Sequence, residues 1–246
     1  MLDIQKTIFL TFDIDWACDE ILGDTVGLVE SAKVRATFFV THQTPLLERL
    51  RSNRSIELGI HPNFNNLLAS GNTSEGGVAE ILTAVKSIVP EATSVRSHSL
   101  VQSTRLLDIF SLHGLTHDVN LLIPASSGIK LYPIPHWNGM LRVPYFWEDD
   151  VNCMFHKDRG ITSWDVGGLL DHPGLKVFNF HPIHLFLNTE NLERYEASKK
   201  YHRQANHLCD FRCTETTVGT RVFLQNLISE ANRRGMKFGL ISEVEI

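Results

Sequence analysis

Two aspartates, one residue apart, follow an apolar segment near the start of the chain. Asp13 and Asp15 lie in the stretch TFDIDW, behind Ile8-Phe9-Leu10. Because side chains alternate along a strand, Asp13 and Asp15 project to one side and Ile14 to the other. Like charges at that distance disfavour each other's ionised form, whereas a divalent cation stabilises both. The spacing indicates either a metal ligand beside a base, or carboxylates that cap a helix turn or pair with arginines such as Arg35.

Three later segments supply further polar residues at predicted strand ends: His61 in GIHPNFN, Arg96 and His98 in VRSHS, and His181 and His184 in VFNFHPIH. Asn65 follows His61 by four residues, which in a helix would be one turn, so both side chains are expected to face the same ion. Each segment alone is a weak signal, because a single His after a strand is usually structural. Together with the two aspartates, these residues predict a metal-dependent active site.

Alternating strand-like and helix-like segments must position these residues. The predicted strands are Thr7–Asp13, Ala36–Thr41, Ile56–His61, Ser94–His98, Leu115–Val119, Leu141–Phe146, Lys176–His181 and Lys237–Ile241. The predicted helices are Leu28–Lys33, Pro45–Arg51, Val78–Val89, Thr104–Leu112 and Val218–Arg234. This alternation favours a (β/α) barrel, in which the carboxyl ends of the parallel strands share one rim. We therefore expect the polar residues at those ends to meet.

Length, charge and composition limit the number of domains and the kinds of partner that we expect. The chain has 246 residues, a net charge of -5 and a pI near 6.2, with no basic run suited to a nucleic-acid backbone. A single domain over residues 1–246 is predicted, with the polar segment 188–217 as a lid or a solvated excursion. No apolar stretch is long enough to span a bilayer, and the start MLDIQKT does not resemble a signal peptide, so we expect a cytoplasmic protein. Four scattered cysteines are expected to be reduced thiols.

The order of these motifs resembles the polysaccharide deacetylase family, the NodB-homology group of carbohydrate esterases. The segments that carry the resemblance cover most of the chain and are TFDID, AKVRATFFVTH, GIHPNFN, VRSHS and FNFHP. Within this group the chain is most similar to the WbmS-like branch, which is associated with O-antigen assembly in Gram-negative bacteria. The resemblance implies a distorted (β/α)7 barrel and metal-dependent removal of an N-acetyl or O-acetyl group from a sugar.

The resemblance also implies roles for individual residues. Asp13 matches the general base, Arg96 the residue that orients this base, and His181 the general acid. Asp15 and His61 match metal ligands. We further expect a sugar substrate, whether nucleotide-linked or lipid-linked, to contact three residues at the rim, which are His98, Trp147 and His184. For Trp147 and its aromatic neighbours, an ordinary core strand is the alternative, and Asp149 and Asp150 are expected to be solvated.

One departure from the family pattern affects the metal. Asn65 stands where the family has a second histidine ligand, and an amide oxygen is a poorer zinc ligand than an imidazole. His42 is the candidate replacement ligand. Zinc is the expected ion, with nickel, cobalt or manganese as alternatives. Two other functions remain open at this point: a degenerate barrel that binds a glycan or a nucleotide sugar without hydrolysing it, and a metal hydrolase of another carbon–nitrogen amide bond.

Overall fold

Buried strands form the centre of the molecule in a computed structural model, which describes residues 2–70, 75–159, 164–214 and 217–246. The strands are β1 (Thr7–Asp13), β2 (Ala36–Val40), β3 (Ile56–Ile60), β4 (Ser94–Val95), β5 (His117–Asp118), β6 (Ile134–Pro135), β7 (Leu141–Arg142), β8 (Trp147–Glu148), β9 (Lys176–Phe180) and β10 (Lys237–Gly239). All side chains of β1 and β9 are buried, as expected for parallel strands covered on both faces. These two strands therefore form the core of the sheet.

The strands follow one continuous path. Their spatial order is β6-β7-β5-β4-β3-β2-β1-β9-β8, and β10 pairs with the first half of β1. Every described pairing is parallel except that of β6 with β7. Among the described residues, β6 and β8 do not pair, so the barrel is incompletely closed. The predicted α/β fold with a distorted barrel is confirmed.

Helices cover the outside of this sheet. They are α1 (Asp19–Ala32), α2 (Leu46–Ser52), α3 (Asn65–Ala69), α4 (Glu75–Ile88), α5 (Thr104–Leu112), α6 (Asp149–Arg159), α7 (Val166–Asp171), α8 (Pro182–Leu187), α9 (Leu192–Ser198), α10 (Ala205–Leu208) and α11 (Thr220–Arg233). The first predicted helix, Leu28–Lys33, is far too short, because α1 runs through Gly23 and Gly27 and buries one apolar face that includes Ile21 and Val29. None of the described helices is long and apolar enough to cross a membrane.

Several strands are shorter than the sequence predicts. The predicted strand Ser94–His98 ends at Val95, because the chain turns into a 3-10 helix that starts at His98. Of the predicted strand Leu141–Phe146, only Leu141–Arg142 is a strand (β7), and β8 begins at Trp147, just beyond the predicted end. Both strands are therefore two residues long where the sequence predicts five and six.

The polar segment 188–217 holds α9 and α10, with residues 215 and 216 outside the described part of the chain. Ser198 and Leu208 are buried. Asn188 anchors the start of the segment, because its Oδ1 accepts hydrogen bonds from the backbone N–H groups of Arg221 and Val222 at the start of α11. Helix α9 contacts both α6 and α8. The segment is therefore fastened at its start and packed against the barrel helices, rather than free in solvent.

Gly59 on β3 is required by close packing beneath the site. A Cβ atom there would lie 2.6 Å from both Phe39 Cδ1 and Ser94 Oγ. Since overpacking a core costs about 1–3 kcal/mol, we expect Gly59→Ala to lower the free energy of unfolding by that amount in urea denaturation. Gly27→Ala is the matched control, because no atom lies within 4 Å of its added Cβ. Equal stability of the Gly59 variant and the parent chain would contradict this packing.

Candidate metal centre and active site

The polar residues predicted from the sequence come together at the carboxyl ends of the strands. Asp13 ends β1, His61 follows β3, Arg96 follows β4, and His181 follows β9. The alternatives for the paired carboxylates do not hold. Arg35 pairs with Glu243 instead, and the N-cap residue of α1 is Cys18. The two aspartates are therefore turned toward the rim cluster, not toward a cap or a surface arginine.

Asp15, His61 and His98 form a compact group of candidate metal ligands. Asp15 Oδ1 lies 3.1 Å from His61 Nε2 and 3.3 Å from His98 Nδ1, and the two ring nitrogens are 3.4 Å apart. Asp15 Oδ1 is buried without a hydrogen bond. One carboxylate and two imidazoles with an open fourth position are a ligand set suited to zinc and similar divalent ions. The three converging atoms thus fit a metal ion.

Burial alone would oppose a charge on Asp15, but its contacts with His61 and His98 outweigh burial and hold the pKa of the carboxyl well below its ordinary value. The backbone at this point is unusual: Asp15 has a φ of 38° and Trp16 a φ of 55°. Non-glycine residues adopt this left-handed region at a cost, and such strain is concentrated at functional sites. The strained turn directs Asp15 back over the end of β1 toward His61.

The third ligand position differs from the sequence-based expectation. Asn65 does not follow His61 by a helical turn, because α3 begins only at Asn65 and residues 61–64 are not helical. Its Nδ2 instead donates to Ser99 Oγ over 3.1 Å. His42 pairs with the neighbouring Thr41 hydroxyl at 2.7 Å and belongs to no candidate ligand group among the described residues. The third member of the candidate ligand group is instead His98, a residue that the sequence assigned to substrate binding.

Asp13 is the buried carboxylate beside this group. Arg96 Nη1 donates to its Oδ1 over 3.0 Å, and Asn179 Nδ2 donates to its Oδ2 over 2.9 Å. Burial raises the pKa of Asp13, but Arg96, followed by His61 and His181, outweighs burial and leaves the pKa below its ordinary value. Asp13 is therefore ionised at neutral pH and able to accept a proton.

Arg96 is fully buried, and its guanidinium lies 4.6 Å from the ring centroid of Phe39 and 4.5 Å from that of Tyr145. The two rings hold the guanidinium from both sides. Arg96 thus supplies a fixed positive charge to the base instead of a mobile one.

His181 lies on the opposite side of the same rim. Its Nε2 is 3.7 Å from Asp15 Oδ2 and 4.0 Å from Asp13 Oδ2, while its Nδ1 is 2.7 Å from Asp149 Oδ1. Burial lowers the pKa of His181, yet the nearby Asp149 carboxylate more than offsets this and raises the pKa well above its ordinary value. His181 is therefore a proton donor at neutral pH.

The expectation that Asp149 is solvated is wrong, since Asp149 is completely buried against His181. Its Oδ2 also accepts a hydrogen bond from the His181 backbone N–H over 2.7 Å. The signal that could have identified Asp149 is an acidic run directly after a strand, the same signal that drew attention to Asp13. Glu148 and Asn179 were missed as well, and both are buried beside Asp13.

A pocket of about 390 Å³ opens in front of these groups. Its described lining residues include Trp16, His98, His184, Tyr195 and His202. His98 and His184, both predicted to contact the substrate, therefore face the space where a substrate would lie. The same pocket takes one wall from α9, within the polar segment 188–217.

Trp147 does not face this pocket, contrary to its predicted contact with the substrate. It is only 4% exposed and stacks on Phe223 of α11, with ring centroids 4.3 Å apart. Since Trp147 starts β8 and this strand end is covered by α11, the side chain serves as core, and no sugar can stack on it. This is the alternative that the sequence left open for the aromatic cluster.

Comparison with known proteins defines the class to which this barrel and its polar rim belong. The sequence model of WbmS-like polysaccharide deacetylases matches residues 10–199. The chain belongs to this polysaccharide deacetylase family, as its motifs predict. No curated protein matches the chain significantly.

Solved structures resemble the whole barrel. A protein from Bordetella bronchiseptica, described as a polysaccharide deacetylase involved in O-antigen biosynthesis, is 47% identical, with 92% of this chain and 91% of that chain covered and a TM-score of 0.83. A polysaccharide deacetylase from Mycobacterium smegmatis is 16% identical over 100% and 97% of the two chains, with a TM-score of 0.51. A family 4 carbohydrate esterase pseudoenzyme from Bacillus anthracis is 15% identical over 97% and 65%, with a TM-score of 0.50. The last two similarities show the fold alone.

Proposed function

We propose that the chain is a metal-dependent hydrolase that removes an acetyl group from the nitrogen of a sugar used to build an O-antigen or a related polysaccharide. One observation carries the proposal: the candidate ligands Asp15, His61 and His98 lie beside the carboxylate of Asp13 and the imidazole of His181. Hydrolysis of an amide needs a base on one side of the carbonyl and an acid on the other. Membership of a deacetylase family supports the same reaction.

The side chains divide the proton transfers between them. A divalent ion, when bound, supplies Lewis-acid polarisation of the acetyl carbonyl and lowers the pKa of the attacking water. Asp13 accepts the proton of that water, while Arg96 and Asn179 hold the carboxylate in place. His181 donates its proton to the leaving nitrogen, and Asp149 keeps its ring oriented. One carbon–oxygen bond forms, the carbon–nitrogen bond breaks, and acetate and a sugar amine leave.

Zinc is the ion we propose, with nickel, cobalt and manganese as the alternatives. Two histidines and one aspartate are a ligand set typical of catalytic zinc sites, which keep a further position open for water or substrate. His61 Nδ1 lies 3.7 Å from Asp13 Oδ1, so the base also faces the ring of one ligand. At this distance the two atoms do not form a hydrogen bond, and His61 Nδ1 is buried without a hydrogen-bond partner among the described residues.

The test is acetate release by the purified chain after chelation and reloading with each of the four metals. The substrates are N-acetylated sugars in free, nucleotide-linked and lipid-linked form, set beside O-acetylated sugars, N-formyl sugars and ureides. We expect acetate from at least one N-acetylated sugar and only with metal bound. Release of formate, or ureide cleavage, without acetate release would assign another amide bond. Metal binding with no hydrolysis of any compound would favour a glycan-binding barrel without activity.

A further inference from the structure

Glu148 is a buried carboxyl that the proposed reaction does not use. It ends β8, and its side chain lies next to the base rather than in the pocket. Its Oε1 accepts a hydrogen bond from Asn179 Nδ2 over 2.8 Å, and its Oε2 accepts one from the Tyr145 hydroxyl over 3.0 Å. Because an ionisable group is costly to bury, its presence here calls for a compensating use.

The Asn179 amide connects Glu148 to Asp13. One hydrogen of its Nδ2 is donated to Glu148 Oε1 and the other to Asp13 Oδ2. Its Oδ1 accepts hydrogen bonds from the Arg96 guanidinium and from the Thr11 hydroxyl. These four partners fix the amide in one orientation, with its two N–H groups toward the two carboxyls.

We propose that Glu148 is a positioning residue for catalysis, which acts by holding the Asn179 amide so that it donates to Asp13. The inference rests on the proposed function, in which Asp13 accepts a proton from water. An anchored amide occupies Oδ2 of Asp13, while Arg96 occupies Oδ1. The lone pairs that remain on the carboxylate are then fixed in direction. Loss of the anchor would let the amide rotate and would leave the base less well oriented.

The surroundings of Glu148 make this anchor sensitive to pH. Burial raises the pKa of Glu148 to about 7, and the charges of Asp150 and Asp13 raise it while those of His181 and Arg96 lower it. The charged and titratable groups that face it are Asp13, Arg96, Tyr145, Asp149, Asp150 and His181. An ionised acceptor binds an amide N–H more strongly than a neutral one. The anchor therefore strengthens as the pH rises through about 7.

The first test is Glu148→Gln in the zinc-loaded protein. We expect kcat to fall roughly tenfold with KM unchanged, in the range typical for loss of a supporting contact at an active site. In the parent chain, kcat should rise with pH around a midpoint near 7, because Glu148 becomes ionised there. In Glu148→Gln this rise should be absent. The matched control is Glu57→Gln, because Glu57 also accepts two side-chain hydrogen bonds but lies near the opposite end of β3 from His61.

Stability separates positioning from packing. The folded protein raises the pKa of Glu148 above the ordinary value of 4.5, so ionised Glu148 destabilises the fold progressively as the pH rises from 4.5 through about 7. Glu148→Gln should therefore raise the Tm at pH 8.5 and leave it nearly unchanged at pH 4.5. A residue needed only for packing would instead lose stability at both values.

A second variant tests the direction of the coupling. Tyr145→Phe removes the hydroxyl that donates to Glu148 Oε2 and so removes a contact that favours the ionised form. The midpoint of the rise in kcat should then move to higher pH. An unchanged midpoint would contradict the coupling of Glu148 to the base.

A measurement that does not depend on turnover separates failure of this inference from failure of the proposed function. In ¹⁵N NMR, the chemical shift of the Asn179 side-chain amide should change with pH around a midpoint near 7 in the parent chain. In Glu148→Gln the same chemical shift should not change over this range. If no acetate is released from any sugar, the proposed function fails, and this amide titration alone decides whether Glu148 is the anchor. Wild-type kcat and pH dependence in Glu148→Gln, or an Asn179 amide that does not titrate, would overturn the inference.

Discussion

We expect Asp13→Asn to abolish turnover and to leave the metal bound, and Asp15→Ala to empty the metal site. The two aspartates are two residues apart, but their surroundings differ. Asp13 is held by Arg96 and Asn179, and Asp15 converges with His61 and His98. Asparagine preserves the shape of Asp13 and can still accept from Arg96, yet it has no basic oxygen for the proton of water. We expect a loss of at least about 10³-fold in kcat, near the upper range for a general base.

Metal content and acetate release, measured on the same preparations, check this prediction. Asp13→Asn should bind zinc in the parent stoichiometry by elemental analysis. Asp15→Ala should lose zinc on gel filtration and regain no activity when zinc is added. Asp108→Asn is a control, because Asp108 lies on α5, does not line this pocket and belongs to no candidate ligand group among the described residues. The reverse pattern, with an empty Asp13 variant and a loaded Asp15 variant, would exchange the two roles.

We expect His98→Ala to lose the metal and Asn65→Ala to retain it. His98 Nδ1 lies 3.3 Å from Asp15 Oδ1 and 3.4 Å from His61 Nε2. Loss of a direct ligand should weaken zinc binding by more than the roughly 10–100-fold that loss of a supporting residue costs. Asn65, which contacts Ser99, should change zinc affinity by less than threefold, a shift of under about 0.7 kcal/mol.

Competition with a chromophoric chelator measures these affinities without any substrate. His98→Asn is an informative intermediate, because it returns an amide to the ligand position and should bind zinc more weakly than the parent chain but more tightly than His98→Ala. Loss of zinc in Asn65→Ala with tight binding in His98→Ala would restore the ligand set that the sequence alone predicts.

The sequence revealed the strand ends that carry chemistry, because a polar residue after a run of buried apolar residues is a local pattern. Asp13, His61 and His181 were identified in this way, and the structure brings them together. The longest strands were also located well, since β1, β2, β3 and β9 differ from their predicted bounds by at most one residue. The signals that predict these strands, hydrophobic periodicity and β-branched residues, can be read from residues that are neighbours in the sequence.

The residues that contact these strand ends could not be predicted from patterns among sequence neighbours. His98 becomes a candidate ligand only because the chain leaves β4 after Val95 and turns sharply at Ser99 and Leu100, which have φ values of 56° and 54°. Asp149 meets His181 across 32 positions of sequence, and no periodicity encodes that distance. The prediction that Asn65 faces the ion assumed a helical turn from His61, but a spacing of four residues implies such a turn only where the helix has already begun.

The wall that α9 contributes to the pocket determines which amino-acid substitutions can reshape the pocket. The candidate ligands and proton-transfer groups lie at or just beyond the ends of buried strands. Four other lining residues reach the pocket from the polar segment 188–217 outside the sheet: Leu192, Tyr195, Glu196 and His202. We expect substitutions in that segment to alter the shape of the pocket without moving the candidate ligand atoms of Asp15, His61 and His98. We therefore expect that exchange of residues 188–217 between relatives changes this wall of the pocket and leaves the candidate ligands and Asp13 in place.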